Sequence, residues 1–189
     1  MKKIKTLAIL AILAFSAVTI SAQTKKVDVT KSKINWLGKK VTGQHEGLIN
    51  LKDGALVFKG KKLVGGTFTV DMNSIVVTDL KTGEGKEKLE GHLKSEDFFG
   101  TEKFATSKLV FKTIAAKDKN VYTVTADLTI KDITNPITFD ITVNGNVAST
   151  TFKVNRTLYN IKYGSGSFFD NLGDKAIYDD FELTTSLKF

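Results

Sequence analysis

Tyr122-Thr123-Val124-Thr125-Ala126-Asp127-Leu128-Thr129-Ile130 places an apolar residue at every second position. Side chains of a strand point alternately to opposite faces. The run therefore shows Tyr122, Val124, Ala126, Leu128 and Ile130 to one side, and threonines with a single aspartate to the other. A helical winding would mix the two sets around its circumference. One apolar face and one polar face is the pattern of antiparallel sheet, since parallel strands are covered on both sides.

The same period extends outward in both directions. Val27/Val29, Ile34/Trp36, Leu56/Phe58, Phe68/Val70 and Leu109/Phe111 alternate before it. Ile137, Phe139, Ile141 and Val143 follow, then Phe152/Val154, and Phe181, Leu183, Thr185, Leu187 and Phe189 end the chain. This gives about eight strands with one apolar face each. Asp53-Gly54 and Asn144-Gly145 read as two-residue hairpin turns, and Lys59-Gly60-Lys61 as a looser one. Pro136 reads as a strand terminator, and Gly65-Gly66 as a bulge or sharp bend.

Two segments break the pattern. Thr82 to Lys94 is polar, with Glu84/Lys88 and Glu90/Lys94 four residues apart and Leu89/Leu93 as its apolar pair, which predicts a short amphipathic helix. It runs into Phe98-Phe99, adjacent rings that diverge if extended, so one of them needs an apolar home off the obvious core face. Leu158 to Tyr178 carries Tyr159, Tyr163, Phe168, Phe169 and Tyr178 among glycines. That is too long and aromatic for a simple hairpin loop, and it reads as a rim or lid.

Sandwich and barrel both accommodate such strands. There is no cysteine, hence no Cys-Trp-Cys signature of an immunoglobulin-like sandwich. The closing strand runs to the last residue, so both chain ends can join one closed sheet. The fold class is therefore all-β, an antiparallel eight-stranded barrel with a short helix and an aromatic-rich loop near its opening. A barrel of that size holds a packed interior or one small ligand.

Residues 1–22 read as a signal peptide: Lys2, Lys3 and Lys5, then the apolar run Leu7 to Phe15, then small residues to Ala22. The run is short of the roughly 20 residues of a spanning helix. Residues 23–189 then form one domain, periplasmic or secreted, folding without disulfides. The formal charge is +8, the three leader lysines included, and Arg156 is the sole arginine. Scattered lysines without arginine forks do not make a nucleic-acid site. A solvated surface explains them, with transient attraction to anionic lipid headgroups left open.

Several stretches resemble the YceI-like family, exported lipocalin-like proteins associated with polyisoprenoid binding. His92-Leu93-Lys94-Ser95-Glu96-Asp97-Phe98-Phe99, continued by Lys103-Phe104-Ala105-Thr106, is similar to the family's central block. Leu128-Thr129-Ile130-Lys131-Asp132-Ile133-Thr134-Asn135-Pro136-Ile137-Thr138-Phe139 is similar to its second block. Phe152-Lys153-Val154-Asn155-Arg156 and the closing strand match a third region. Ala105 stands where the family more often has Pro, and the Leu158–Tyr178 loop is richer in aromatics than the family pattern. The resemblance implies an antiparallel barrel around an elongated apolar channel, with the helix and loops near its opening, and does not imply a catalytic apparatus.

A binding barrel needs an apolar interior and a few polar groups to fix one end of the ligand. The ligand-binding residues expected are Trp36, Phe68, Phe98, Phe99, Phe104, Phe111, Tyr122, Arg156, Phe168 and Phe169. Ordinary core packing is the alternative for each ring. The Arg156 fork could hold a headgroup, or pair with a carboxylate such as Asp97 or Asp180. His45 and His92 lack metal-ligand spacing, and no metal site is expected; a hydrogen bond from His92 would fix the turn into Phe98. Glu96/Asp97 diverge, no nucleophile elbow occurs, and Gly164-Ser165-Gly166-Ser167 lacks the lysine of a phosphate loop. No catalytic residues and no cofactor follow, other than a bound isoprenoid, quinone or lipid. An enzyme acting on a hydrophobic substrate and a filled, partner-binding barrel remain the rival readings. A homodimer through an edge strand or the aromatic loop is likewise open.

Overall fold

The computed structural model describes residues 21–189. The expected signal peptide lies almost wholly outside the described residues. The strands are β1 (Ala22–Lys26), β2 (Asp28–Lys40), β3 (Gly43–Lys59), β4 (Lys62–Val77), β5 (Thr106–Asp118), β6 (Val121–Ile130), β7 (Ile133–Asn144), β8 (Val147–Asn155) and β9 (Ile177–Lys188). All ladders between them are antiparallel, in the order β1-β3-β2-β9-β8-β7-β6-β5-β4, and β4 closes back onto β3. β2 to β9 thus form a closed eight-stranded barrel. The short ninth strand, β1, pairs with the second half of β3 while β2 pairs with the first. The two behave as one bent strand, joined where the Val27 N–H donates to the Gly54 carbonyl at 2.8 Å.

The long strands bend because they carry bulges. Register slips in the β3–β4 ladder fall at Leu48/Asn50, Leu51/Asp53 and Val57/Phe58. The last lies just before Gly65-Gly66, at the expected bend. A Cβ on Gly66 would meet the Phe111 ring at 2.6 Å, so the strand can pass that ring only without a side chain.

Two turn expectations need correction. Asp53-Gly54 is not a hairpin turn but lies inside β3, at a bulge facing β4. Gly54 is there for contact, since a Cβ would stand 2.7 Å from the Phe68 ring. Pro136 does not end a strand either. It sits within β7 opposite Asp127 of β6, while β8 pairs with β7 only over Thr142–Asn144. Its missing N–H thus falls where β7 has no ladder on the β8 side. Lys59-Gly60-Lys61 and Asn144-Gly145 do join strands, with Gly60 and Gly145 at φ 62° and 59°.

The hairpin between β6 and β7 turns on Lys131 and Asp132, both at positive φ (50° and 58°) without a glycine. Lys131 Nζ reaches the carbonyls of Glu96 and Phe98, at 3.1 and 2.9 Å. These bonds tie the strained turn to the Phe98 segment and offset part of its backbone energy.

The helix α1 (Lys86–Lys94) begins four residues later than expected, after Gly85 at φ 96°. Glu84 therefore lies outside it. The helical ion pair is Lys86–Glu90, whose carboxylate also caps the Val77 N–H at 2.8 Å. Leu93 and, less deeply, Leu89 turn toward the core. No helix among the described residues is long and apolar enough to cross a membrane.

Candidate functional site: a chamber open at the helix end

The barrel has two unlike ends. The turns β3–β4, β5–β6 and β7–β8 and the C-terminus gather at one. The β2–β3 and β6–β7 turns, α1 and the Leu158–Tyr178 loop gather at the other. Between them lies a cavity of ≈ 220 Å³ lined by inward residues of all eight barrel strands.

Partial exposure marks its walls. Trp36, Leu109, Phe111, Phe152 and Leu183 point inward yet are only partly buried, because they face open space. Below them Leu56, Val124, Ala126 and Ala148 are 0% exposed and seal the barrel. A belt of rings runs along the wall: Phe68–Phe111 at 5.5 Å, Phe111–Phe139 at 6.0 Å and Phe139–Phe152 stacked at 4.6 Å. Phe152 and Phe139 meet across the gap where β8 has left β7.

The helix end is rimmed by apolar and aromatic side chains. Leu89 and Leu93 of α1 line the chamber with Phe98 and Phe99, and Phe99 stands edge-on to Phe181 of β9 at 6.2 Å. His92 packs against Phe98 and Tyr163, at 5.1 and 4.5 Å between centroids. Its Nε2 finds no partner, so the imidazole does not fix the turn into Phe98. The Ser95 hydroxyl does that, donating to the His92 carbonyl at 2.8 Å.

Arg156 is the polar keystone of this end. It is 3% exposed, in a 3₁₀ turn Arg156–Tyr159 that continues β8. Nε donates to the Tyr178 carbonyl, Nη1 to Ile161 and Nη2 to Ile177, at 3.1, 2.8 and 3.0 Å. These bonds pin both ends of the aromatic loop to the barrel. Its carboxylate neighbour is Asp179 at 3.8 Å, not Asp97 or Asp180. Burial lowers the guanidinium's pKa and Asp179 opposes that. Burial likewise raises the Asp179 carboxyl, but the hydroxyls of Ser165 and Ser167, at 2.6 and 2.5 Å, and the Arg156 charge outweigh it and leave the pKa lowered.

Of the ten residues expected to bind ligand, Trp36, Phe68, Phe98, Phe99, Phe111 and Arg156 line the chamber. The other four lie elsewhere. Tyr122 faces inward but below the chamber, its hydroxyl near the β3–β4 turn. Phe104 folds back on Gly100 ahead of β5. Phe168 and Phe169 stay on the surface, 48% and 50% exposed, because the pinned loop carries them outward. Leu183 and Thr185 of β9 are wall residues that the aromatic criterion missed, although their alternation marks them as inward.

At the rim, His45 Nδ1 is held by the Asp79 carboxylate at 2.8 Å, with Lys39 and Lys40 nearby on β2. No group of three or more His, Cys, Asp or Glu side chains gathers to hold a metal among the described residues.

The chain matches the YceI-like domain over residues 25–189. It is 48% identical over 59 residues to a UPF0312 protein of Staphylococcus aureus, 31% of this chain and 32% of that protein, so the match spans about a third of the relative's length. BcnA of Burkholderia cenocepacia superimposes with a TM-score of 0.68 at 23% identity, covering 85% of this chain and 98% of that one. A polyisoprenoid binding domain from Saccharophagus degradans, implicated in plant cell wall breakdown, gives 0.58 at 12% identity over 86% and 95%. The YceI protein of Campylobacter jejuni gives 0.56 at 15% over 100% and 90%. These likenesses establish the barrel, the domain match spans nearly every described residue, and the chain belongs to the YceI-like domain family.

Proposed function

We propose that the protein sequesters or carries a long apolar ligand, a polyisoprenoid, isoprenoid quinone or other lipid, in the chamber, and does no chemistry on it. The observation that carries this reading is an apolar chamber open at one end of a barrel sealed at the other. A water molecule needs about 10–15 Å³ of such space and two to four polar partners. The chamber offers the space many times over and few polar partners. Ser107 and Thr150 already donate to the carbonyls of Thr129 and Asp140, at 2.8 and 2.6 Å, and Arg156 is spent on its loop.

An apolar guest is thus the better occupant, held at about 25 cal/mol per Å² of surface removed from water. The partly exposed inward walls speak against the filled barrel. The likeness to a domain described as polyisoprenoid binding supports the ligand class. The expected leader supports an exported, periplasmic or secreted protein. The exposed rim of Leu158, Tyr163, Phe168, Phe169 and Tyr178 is where a ligand would be exchanged with another apolar surface.

The test is native mass spectrometry of protein purified from a bacterial periplasm without detergent, with organic extraction of any adduct. A stoichiometric apolar adduct is expected in the wild type and absent in a folded Phe111→Glu variant. A wild type that stays free of adduct after incubation with isoprenoids and quinones overturns the reading.

A further inference from the structure

The lysines are scattered along the sequence but not over the barrel. The β3–β4 turn carries Lys59, Lys61 and Lys62, the β5–β6 turn carries Lys117 and Lys119, and Lys188 precedes the C-terminus, all at the sealed end. Lys25 of β1 joins them, its ammonium 5.2 Å from the ring centroids of Phe58 and Phe189. Carboxylates are few here. Asp140 pairs with Lys117, Asp118 accepts from the Lys119 backbone N–H, and the chain terminus adds one more. Lys59, Lys61, Lys62 and Lys119 are exposed, with no ion-pair partner among the described residues. The open end has the opposite sign. Between Asp79 and Lys103 seven carboxylates outnumber five lysines, and between Arg156 and Glu182 five outnumber three cations.

Folding does not call for the basic cluster. Lys59 stands directly across the ladder from Lys62, with Lys61 in the turn between them. Like charges directly opposite in a sheet are destabilising. The bend itself comes from Gly60 at φ 62°, not from lysine. Solubility is served by mixed charge as well as by charge of one sign in one place. We infer that the sealed end is an adsorption surface for anionic lipid headgroups, held by the lysines of the β3–β4 and β5–β6 turns, and that it sets the barrel on a bilayer with its chamber mouth facing away.

The chemistry of the surface selects this partner. A headgroup plane is a sheet of mobile single charges that gather under flexible ammonium groups, so no rigid fork or pocket is needed. The end has no arginine for bidentate phosphate recognition, and none of the exposed aromatic rings on which a nucleic-acid base could stack. Attraction acts within about 8 Å at physiological salt, and lysines at hairpin tips come that close. The acidic open end is repelled by the same surface, which fixes the orientation.

The test is sedimentation of the full-length mature protein with phosphatidylcholine vesicles, plain or with about one third phosphatidylglycerol to give a negative surface potential. Wild type should bind the anionic vesicles and not the neutral ones. It should detach as salt rises to about 1 M, where the screening length is about 3 Å. Each lysine near such a surface raises affinity about fivefold, so Lys59→Gln/Lys61→Gln/Lys62→Gln should lose about a hundredfold. That variant should melt no lower than wild type, because facing like charges are removed. It should also load a fluorescent naphthylamine dye in the chamber as well as wild type does. Phe168→Ser/Phe169→Ser, which strips exposed rings from the open end, should bind vesicles as wild type does. The chain has no cysteine, so single labels at Ala116→Cys and Gly166→Cys report orientation. A headgroup quencher should dim the first, at the sealed end, and spare the second, on the open-end loop. Equal binding to both vesicles, loss in the rim variant but not in the lysine variant, quenching at residue 166, or no sedimentation at low salt each overturns the membrane assignment. The carrier reading survives any of these, since the adduct measurement alone decides it.

Discussion

The two ends of this barrel are held together by different forces. At the sealed end Leu56, Val124, Ala126 and Ala148 are wholly buried and Phe58 packs against Phe189 with ring centroids 5.4 Å apart, so apolar packing fixes the geometry. At the open end the inward residues surround a void, and packing there is incomplete. Order instead comes from hydrogen bonds: Arg156 to three carbonyls, Lys131 to two, Asp179 to two serines. A container needs this asymmetry. A close-packed interior leaves no room for cargo, and a barrel hollow throughout would lose the burial that stabilises it.

Truncation at the two ends breaks the comparison most sharply. Leu56→Ala should destabilise by about 3 kcal/mol, as for a close-packed leucine that leaves a cavity. Leu183→Ala removes the same atoms from a wall already facing open space, and should destabilise by about 1 kcal/mol. Ligand affinity should respond the other way round, falling in Leu183→Ala and holding in folded Leu56→Ala. Chemical denaturation with dye-binding titration reads both, and equal losses of stability would remove the distinction.

How much of this was legible in the chain follows the same division. Alternation names inward residues well: Val124, Ala126, Leu128 and Ile130 are all buried. What it leaves out is height along the barrel axis, which depends on ladder register between strands distant in sequence. Tyr122 and Phe111 both alternate inward, yet only Phe111 reaches the chamber. Asp53-Gly54 misled because a turn signal and a glycine under a ring look alike locally, and the Phe68 contact is set by a strand further along. Phe168 and Phe169 misled because their loop is placed by Arg156, through backbone carbonyls that no side-chain pattern records.

The arginine supplies the next test. Arg156→Met keeps an unbranched apolar stem and removes all three bonds, leaving the Ile161, Ile177 and Tyr178 carbonyls to find water. Roughly 2 kcal/mol of stability should be lost, given that bonds to a charged donor are each worth more than neutral ones. The effect should be local. Proteolysis within residues 157–176 should accelerate, while amide exchange at Leu56 and Val124 stays as slow as in wild type relative to global unfolding. Uniform loosening of both ends would show that the open end is not separately held.

Acid sharpens the contrast with the smallest expected energy. The Asp179 carboxyl is lowered from its ordinary value of 3.8: burial raises it, and Ser165, Ser167 and Arg156 more than reverse this. A carboxyl lowered on folding adds stability that is fully present above its unfolded value. That stability disappears as pH falls through the native value. Wild type should therefore exceed Asp179→Asn in stability at neutral pH by under about 1 kcal/mol, the range of a partly exposed ion pair. The difference should start to shrink as pH drops below 3.8 and vanish once it has passed below the lowered native value, because a protonated aspartate and an asparagine are both neutral there. The sealed end has apolar side chains at its centre and no carboxylate among them, so the Leu56→Ala loss should stay constant over the same range. Denaturation of the three proteins at neutral and acid pH decides it. A pH-independent Asp179→Asn deficit would mean that the carboxylate acts through shape and hydrogen bonding alone, and that both ends of the barrel are indifferent to its charge.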